Sequence, residues 1–118
     1  MLRVLHIDDD AWPKELIKAH LGMFNTPTEV VFATNEKEAL DNLKNFKYDL
    51  IILDGNIPGW VGHVAEVQNY TATEIVMYSA ESGVKMREYL SSGAKRAFDK
   101  GPEGTKALVE YIRSMIKA

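Results

Sequence analysis

The segment YDLIILDGNIPG, residues 48–59, is the strongest indication of the fold of this chain. Its apolar run, Leu50–Leu53, is not interrupted by polar residues and ends at Asp54. Such a short, uniformly apolar run is typical of a strand buried on both faces, as in a parallel sheet. Open α/β sheets bind their ligands at the carboxyl ends of the strands, which makes Asp54 a candidate site residue. An aspartate at this place can also do no more than open a turn.

Length and composition bound the classes of protein to which the chain can belong. The 118 residues predict one domain, residues 1–118, with a single core. The formal net charge of -3 and the lack of a dense Lys/Arg cluster argue against direct binding of nucleic acid. The absence of cysteine excludes disulfides and thiolate chemistry. Neither a signal peptide nor an apolar run of membrane-spanning length is present, so we expect a cytoplasmic protein without a membrane partner.

Further apolar runs with β propensity alternate with segments of helical periodicity. The predicted strands are residues 3–7, 29–33, 50–53, 74–79 and 97–99. Helices are predicted to start near residues 11, 35, 84 and 103, with only weak helical character over residues 62–70. This alternation predicts a parallel sheet that is covered by helices on both faces. The expected fold class is α/β, a doubly wound, five-stranded parallel sheet of order 2-1-3-4-5, which is flavodoxin-like.

Polar side chains lie at the ends of several predicted strands. Asp8 and Asp9 follow the first strand, Asp54 follows the third, Ser79 ends the fourth and Lys100 follows the fifth. In the order 2-1-3-4-5 these strands are neighbours, and parallel strands have their carboxyl ends at one edge, so we expect the side chains to converge. Carboxylates this close raise one another's pKa unless a cation neutralises them. Oxygen ligands alone favour a hard divalent ion, and Mg²⁺ with several waters fits best.

A carboxylate beside Mg²⁺ and a lysine is suited to attack a phosphoryl group and form an aspartyl phosphate. The transition state spreads charge over three equatorial oxygens, which Mg²⁺, Lys100 and Ser79 would stabilise. The chain has no glycine-rich phosphate loop, so a nucleotide is not the expected donor. Each residue also has a structural interpretation: acids at a helix start, an ordinary strand-end hydroxyl, or a solvated turn lysine. For the aspartates, the other strand ends in view favour metal binding.

The chain resembles the receiver domains of two-component response regulators over essentially its whole length. The motifs that carry the resemblance are VLHIDDD at residues 4–10, DLIILD at 49–54 followed by Pro58-Gly59, IVMYSA at 75–80, and Gly93-Ala94 ahead of Lys100. Each motif alone is weak, but together they stand in the expected order at the expected strand ends.

The resemblance implies a phosphoacceptor role for Asp54, with a sensor histidine kinase or a phosphotransfer protein as the donor. It implies a Mg²⁺ site formed by the side chains of Asp8, Asp9 and Asp54 and the backbone carbonyl of Asn56. Lys100 would contact the phosphoryl group, and Ser79 would move toward it on activation. Asn56 and Glu81 match positions that set the lifetime of the phosphorylated state, and this pair is similar to short-lived members.

By the same resemblance the domain phosphorylates and dephosphorylates itself with Mg²⁺ and is not a turnover enzyme. A downstream effector protein would bind the side formed by the fourth helix and fifth strand. The residues expected on that surface are Val84, Met86, Arg87, Tyr89 and Leu90. The histidines at positions 6, 20 and 63 are expected to be structural. Trp12 and Trp60 are expected near the site, either as the rim of a binding surface or, for Trp12, as packing against the first helix.

The sequence departs from the family pattern at several places. Gly101 follows the lysine where a proline is usual, and Ala97 replaces an aromatic residue that moves with the hydroxyl. Gly55 follows the acceptor where a larger residue is common, which predicts a more open site. Ala97, Gly101 and a segment from Asp54 to Ser79 that is a few residues shorter than usual support an alternative function, a receiver-like interaction module independent of phosphorylation. A phosphohydrolase is disfavoured because Asn56 stands where such enzymes carry a second aspartate.

Overall fold

The computed structural model describes residues 1–23, 27–80 and 83–117, without the side chains at 11, 14, 16, 20, 23 and 117, and confirms the predicted fold. The strands β1 to β5 are Leu2–Ile7, Thr28–Ala33, Leu50–Leu53, Ile75–Ser79 and Arg96–Asp99. The helices α1 to α5 are Ala11–Met23, Glu36–Asn45, His63–Tyr70, Gly83–Ser91 and Pro102–Lys117. The strands pair in parallel in the order β2-β1-β3-β4-β5.

The sheet separates two apolar clusters, one on each face. Strands β3 and β4 are buried along their whole length, which explains why residues 50–53 show no polar alternation. Because successive strand residues point to opposite faces, Ile51 and Leu53 join the cluster beneath α2 and α3. Leu50 and Ile52 join the cluster beneath α1 and α5.

Helix α3 is better formed than the sequence predicts. Residues 63–70 form an eight-residue helix, preceded by Gly62 at a φ of 69°, a left-handed conformation that favours glycine. Val64 and Val67 are buried in the core cluster on this face of the sheet. Most helical stability in proteins comes from packing an apolar face, and this packing outweighs the weak local propensity of the segment.

Among the residues that the structure describes, no helix combines the length and the apolar character needed to cross a bilayer.

Candidate functional site at the carboxyl edge of the sheet

The strand ends fix the backbone of the predicted site residues. The Asp8 N–H donates to the carbonyl of Ala33 at 3.0 Å, and the Asp54 N–H donates to the carbonyl of Ile7 at 2.9 Å. The Lys100 N–H donates to the carbonyl of Ser79 at 3.1 Å. Parallel-strand hydrogen bonding therefore continues just past β1, β3 and β5. The backbone from which each of these side chains projects is held rigidly at this edge.

Acidic and basic side chains meet where these backbones end. The Nζ of Lys100 lies 2.8 Å from Oδ2 of Asp8 and 3.4 Å from Oδ1 of Asp54. Asp8, Asp9 and Asp54 each offer a carboxylate oxygen within 4.8 Å of the others. Asp8 is fully buried and Asp54 is 5% exposed, whereas Asp9 is exposed. The expected convergence of these acids with Lys100 is present, with one side of the cluster open to solvent.

The buried charges shift one another's pKa. Burial and the neighbouring Asp8 carboxylate raise the pKa of Asp54 to about 6, and Lys100 offsets only part of this. Burial also acts to raise the pKa of Asp8, but the nearby His6 ring, the Lys100 ammonium and the hydrogen bond from the Asp10 N–H outweigh it and lower that pKa. Burial acts to lower the pKa of Lys100, but the two carboxylates outweigh it and raise that pKa. At neutral pH the cluster therefore holds more negative than positive charge.

This donor set fits a hard divalent cation. Carboxylate oxygens are the preferred ligands of Mg²⁺, and the ion usually keeps several of its waters. The exposed Asp9 leaves a side of the cluster from which an ion and its waters can enter. The N–H of Asn56 donates to Oδ1 of Asp54 at 3.3 Å, which holds the turn close to the acids. A ligand role for the Asn56 carbonyl stays a prediction.

Ser79 is the last residue of β4 and is 1% exposed. Its backbone carbonyl accepts the hydrogen bond from the Lys100 N–H, so β4 and the lysine are joined through the main chain. The movement of its hydroxyl toward a phosphoryl group stays a prediction. Glu81, expected to affect the lifetime of the phosphorylated state, lies outside the described residues.

Two departures from the family pattern, Ala97 and Gly101, follow β4 in the sequence and alter the local structure. Gly101 donates its N–H to Oδ1 of Asp99 at 2.5 Å, and Pro102 then begins α5 without a cis peptide bond. Ala97 packs against the cluster beneath α2 and α3. Phe98 packs on the opposite face, with its ring 5.8 Å from that of Tyr111. Since neighbouring strand residues face opposite ways, Phe98 cannot replace the aromatic residue missing at position 97.

The expectation of a more open site at Gly55 is wrong. The ring of Tyr89, from α4, occupies the space where a larger side chain would stand, and its hydroxyl donates to the Gly55 carbonyl at 2.9 Å. Tyr89 was expected on the outer surface of α4, but it is half-buried and packs against the core. Val84 and Leu90 are exposed, as expected for that surface. The glycine itself was the one sequence signal that another residue fills this space.

The aromatic residues and histidines take distinct places around the site. Trp12 is 61% exposed, whereas Trp60 is 5% exposed and donates its indole N–H to Glu66 at 3.0 Å. His63 is buried, with Nε2 3.0 Å from the Asp54 carbonyl oxygen. His6 is buried in β1, with Nε2 3.8 Å from Oδ2 of Asp8. The side chain of His20 lies outside those described.

The fold and the acidic edge define the class of the protein, a doubly wound α/β domain with a carboxylate cluster at the carboxyl ends of its strands. The model of the response regulator receiver domain family matches residues 4–113, and the chain belongs to that family. Receiver domains generally bind Mg²⁺ at an acidic cluster, interact with histidine kinases and effectors, and are not turnover enzymes.

Individual relatives agree with this assignment. A protein-glutamate methylesterase/protein-glutamine glutaminase of Methanosarcina mazei is 30% identical in an alignment that covers 98% of this chain and 35% of the relative. The chain thus spans about a third of that relative's length. The response regulator domain of Thermotoga maritima CheB is 25% identical, with a TM-score of 0.81 over 100% of this chain and 98% of that one. A two-component response regulator from Clostridium difficile has a TM-score of 0.80 at 24% identity, with full coverage of both chains.

Proposed function

We propose that this receiver domain accepts a phosphoryl group on Asp54 from a sensor histidine kinase or a phosphotransfer protein. Mg²⁺ would be held by the oxygens of Asp8, Asp9 and Asp54 and the backbone carbonyl of Asn56. The observation that supports this most strongly is the position of Lys100, whose ammonium lies within 3.4 Å of Asp54 and 2.8 Å of Asp8. A nearly buried carboxylate beside a fixed ammonium is equipped to receive an anion at its own oxygen.

In the transfer step an Asp54 carboxylate oxygen forms a bond to phosphorus. The bond between phosphorus and the donor's imidazole nitrogen breaks, and the leaving imidazole takes up a proton from solvent. Lys100 has three N–H donors, so it can keep its contact with the Asp8 carboxylate while it donates to a phosphoryl oxygen. Bound Mg²⁺ would supply Lewis-acid neutralisation of the charge on phosphoryl and carboxylate oxygens.

The added charge would then alter the surface formed by α4 and β5, where an effector protein would bind. The exposed apolar side chains of α4, Val84 at 58% and Leu90 at 43%, support a role for this helix in binding a protein. Ser79 would transmit the change by moving its hydroxyl toward the phosphoryl group. The phosphate would be lost again to water, with inorganic phosphate as the product and the Asp54 carboxylate restored.

Phosphorylation is tested by incubating the protein with acetyl phosphate and Mg²⁺ and measuring its intact mass. We expect the mass gain of one phosphoryl group, its loss when EDTA replaces Mg²⁺, and its localisation to Asp54 by reduction of the acyl phosphate with borohydride and peptide analysis. Asp54→Asn should give no adduct, whereas Asp41→Asn, which changes an exposed aspartate of α2, should react as the wild type does. A folded wild-type protein without the adduct would contradict the proposal and favour a phosphorylation-independent interaction module.

A further inference from the structure

The turn after β3 is bound from α4 through Tyr89. The Tyr89 hydroxyl donates to the carbonyl of Gly55 at 2.9 Å, and a Cβ added at Gly55 would stand 2.6 Å from the Cζ atom of its ring. Atoms at that separation overlap, so a side chain at position 55 would require the tyrosine ring to move. Glycine at position 55 and tyrosine at position 89 therefore form a matched pair.

The same turn is bound from α3 through His63. Nε2 of His63 lies 3.0 Å from the carbonyl oxygen of Asp54, one residue before the carbonyl that Tyr89 binds. Because a carbonyl oxygen only accepts, Nε2 must carry the proton in this contact. The His63 ring stands edge-on to the ring of Tyr89, with centroids 6.1 Å apart, and to that of Trp60, with centroids 5.8 Å apart. His63 is 7% exposed, so this aromatic packing fixes its ring.

Tyr89 also provides an anchor for α4. Every residue of α4, Gly83–Ser91, is described, and none of them is buried. Tyr89 packs against the core cluster while its hydroxyl reaches the turn. The strand β5, which carries Ala97 in place of an aromatic residue, offers no comparable ring on this face.

We propose that Tyr89 and His63 are positioning residues that hold the phosphoacceptor turn, residues 54–56, by binding its consecutive carbonyl oxygens. This role rests on the proposed function, because the turn carries the Asp54 carboxylate and the Asn56 carbonyl expected to hold Mg²⁺. Groups that orient metal ligands typically alter metal affinity or activity about 10- to 100-fold when they are removed. The pair also joins α4 to the turn directly, without a switch residue on β5.

The test uses Tyr89→Phe, which removes only the hydroxyl, and His63→Phe, which keeps a ring of similar shape without the donor. Tyr111→Phe is the matched control, since it also removes a hydrogen-bonded tyrosine hydroxyl. The partner of Tyr111 is the carboxylate of Glu74, which lies remote from the turn. In the metal-free protein, we expect the carbonyl ¹³C resonance of Asp54 to shift in His63→Phe and that of Gly55 to shift in Tyr89→Phe. We expect Mg²⁺ binding, followed by tryptophan fluorescence, to weaken about tenfold in each variant. His63→Gln, which can place an N–H near the same point, should restore most of the affinity.

A double-mutant cycle tests the pairing of Gly55 with Tyr89. Gly55→Ala alone should displace the tyrosine ring and weaken Mg²⁺ binding as strongly as Tyr89→Ala does. In the Tyr89→Ala background the same change should have no further effect, because the overlapping ring is gone. Additive effects of the two substitutions would overturn the matched pair.

Failure of this proposal is distinguishable from failure of the proposed function. If the turn resonances and Mg²⁺ affinities of Tyr89→Phe and His63→Phe equal those of Tyr111→Phe, the positioning role is wrong, whether or not Asp54 reacts. If the wild type fails to react with acetyl phosphate while these variants still alter the turn and its Mg²⁺ affinity, phosphorylation is wrong and the positioning role stands. Should the wild type bind no Mg²⁺ at all, a positioning role in metal binding is overturned with it.

Discussion

Replacing Lys100 with methionine is expected to lower the free energy of unfolding by about 3 kcal/mol at pH 7.5 without metal, because a buried charge pair loses one partner. The Asp8 carboxylate is fully buried and Asp54 is nearly so, and Lys100 contacts both. Without the ammonium these two buried carboxylates repel each other with no cation between them. The phosphorylation rate with acetyl phosphate should fall about 100-fold, the size of effect seen when one fixed donor to a developing charge is removed.

Urea unfolding and the acetyl phosphate reaction measure these two effects. Lys95→Met is the matched control, because Lys95 pairs with Glu74 at 3.0 Å but is 62% exposed. Exposed pairs contribute about 0 to 1 kcal/mol, so the control should lose little stability and no reactivity. The loss in Lys100→Met should shrink at pH 5, where Asp54 takes up a proton and the repulsion ends. Equal behaviour of the two lysine variants would show that Lys100 is not part of the site.

Replacing Asp54 with asparagine is expected to stabilise the metal-free protein at pH 7.5 by about 2 kcal/mol, somewhat less than the full linkage value because contact with Lys100 is lost. The pKa of Asp54 is raised from 3.8 to about 6 in the folded protein. A carboxyl group with a raised folded pKa favours folding when protonated and opposes it when ionised. The wild type and the variant should therefore be equally stable below pH 4. As the pH rises from 4 through 6, the free energy of unfolding of the wild type should fall below that of the variant.

The pH dependence of urea midpoints for both proteins measures this difference. Asp41→Asn, which removes an exposed aspartate, serves as the control and should not reproduce this stabilisation. Saturating Mg²⁺ should stabilise the wild type more than Asp54→Asn, since a ligand stabilises the state that binds it. A wild type that is more stable than Asp54→Asn at pH 7.5 without metal would show that this carboxylate is not destabilised by its surroundings.

Local sequence was sufficient to predict most of the fold. The uniformly apolar residues 50–53 are typical of a strand covered on both faces, and the alternation with helical segments indicated the doubly wound sheet. The helical character of α3 was underestimated, because the helix is stabilised by the packing of Val64 and Val67 on the sheet rather than by the local propensity of its own segment. Tertiary packing of this kind leaves little trace in local propensity.

The positions of some site residues could be predicted from the sequence, and those of others could not. The convergence of Asp8, Asp9, Asp54 and Lys100 followed from strand order alone, since neighbouring parallel strands end at one edge. Tyr89 was misplaced, because helical periodicity does not show which residue of a weakly apolar helix turns inward.

The contact of His63 with a backbone carbonyl was not foreseeable, since main-chain acceptors have no sequence pattern. Gly55 marked a position without a side chain, but only the three-dimensional structure shows that the ring of Tyr89 fills that space.

The proposed function requires that carboxylates from β1 and β3 bind one hard cation while Lys100 faces a phosphoryl group on Asp54. A crystal structure of the protein with Mg²⁺ and beryllofluoride, which mimics a phosphoryl group on a carboxylate, tests this arrangement. We expect beryllium bonded to an Asp54 oxygen, Mg²⁺ on Asp8, Asp9 and Asp54 oxygens, and the Lys100 ammonium on a fluoride. Mg²⁺ bound elsewhere, or an Asp54 carboxylate free of beryllium with both reagents at saturation, would contradict the account.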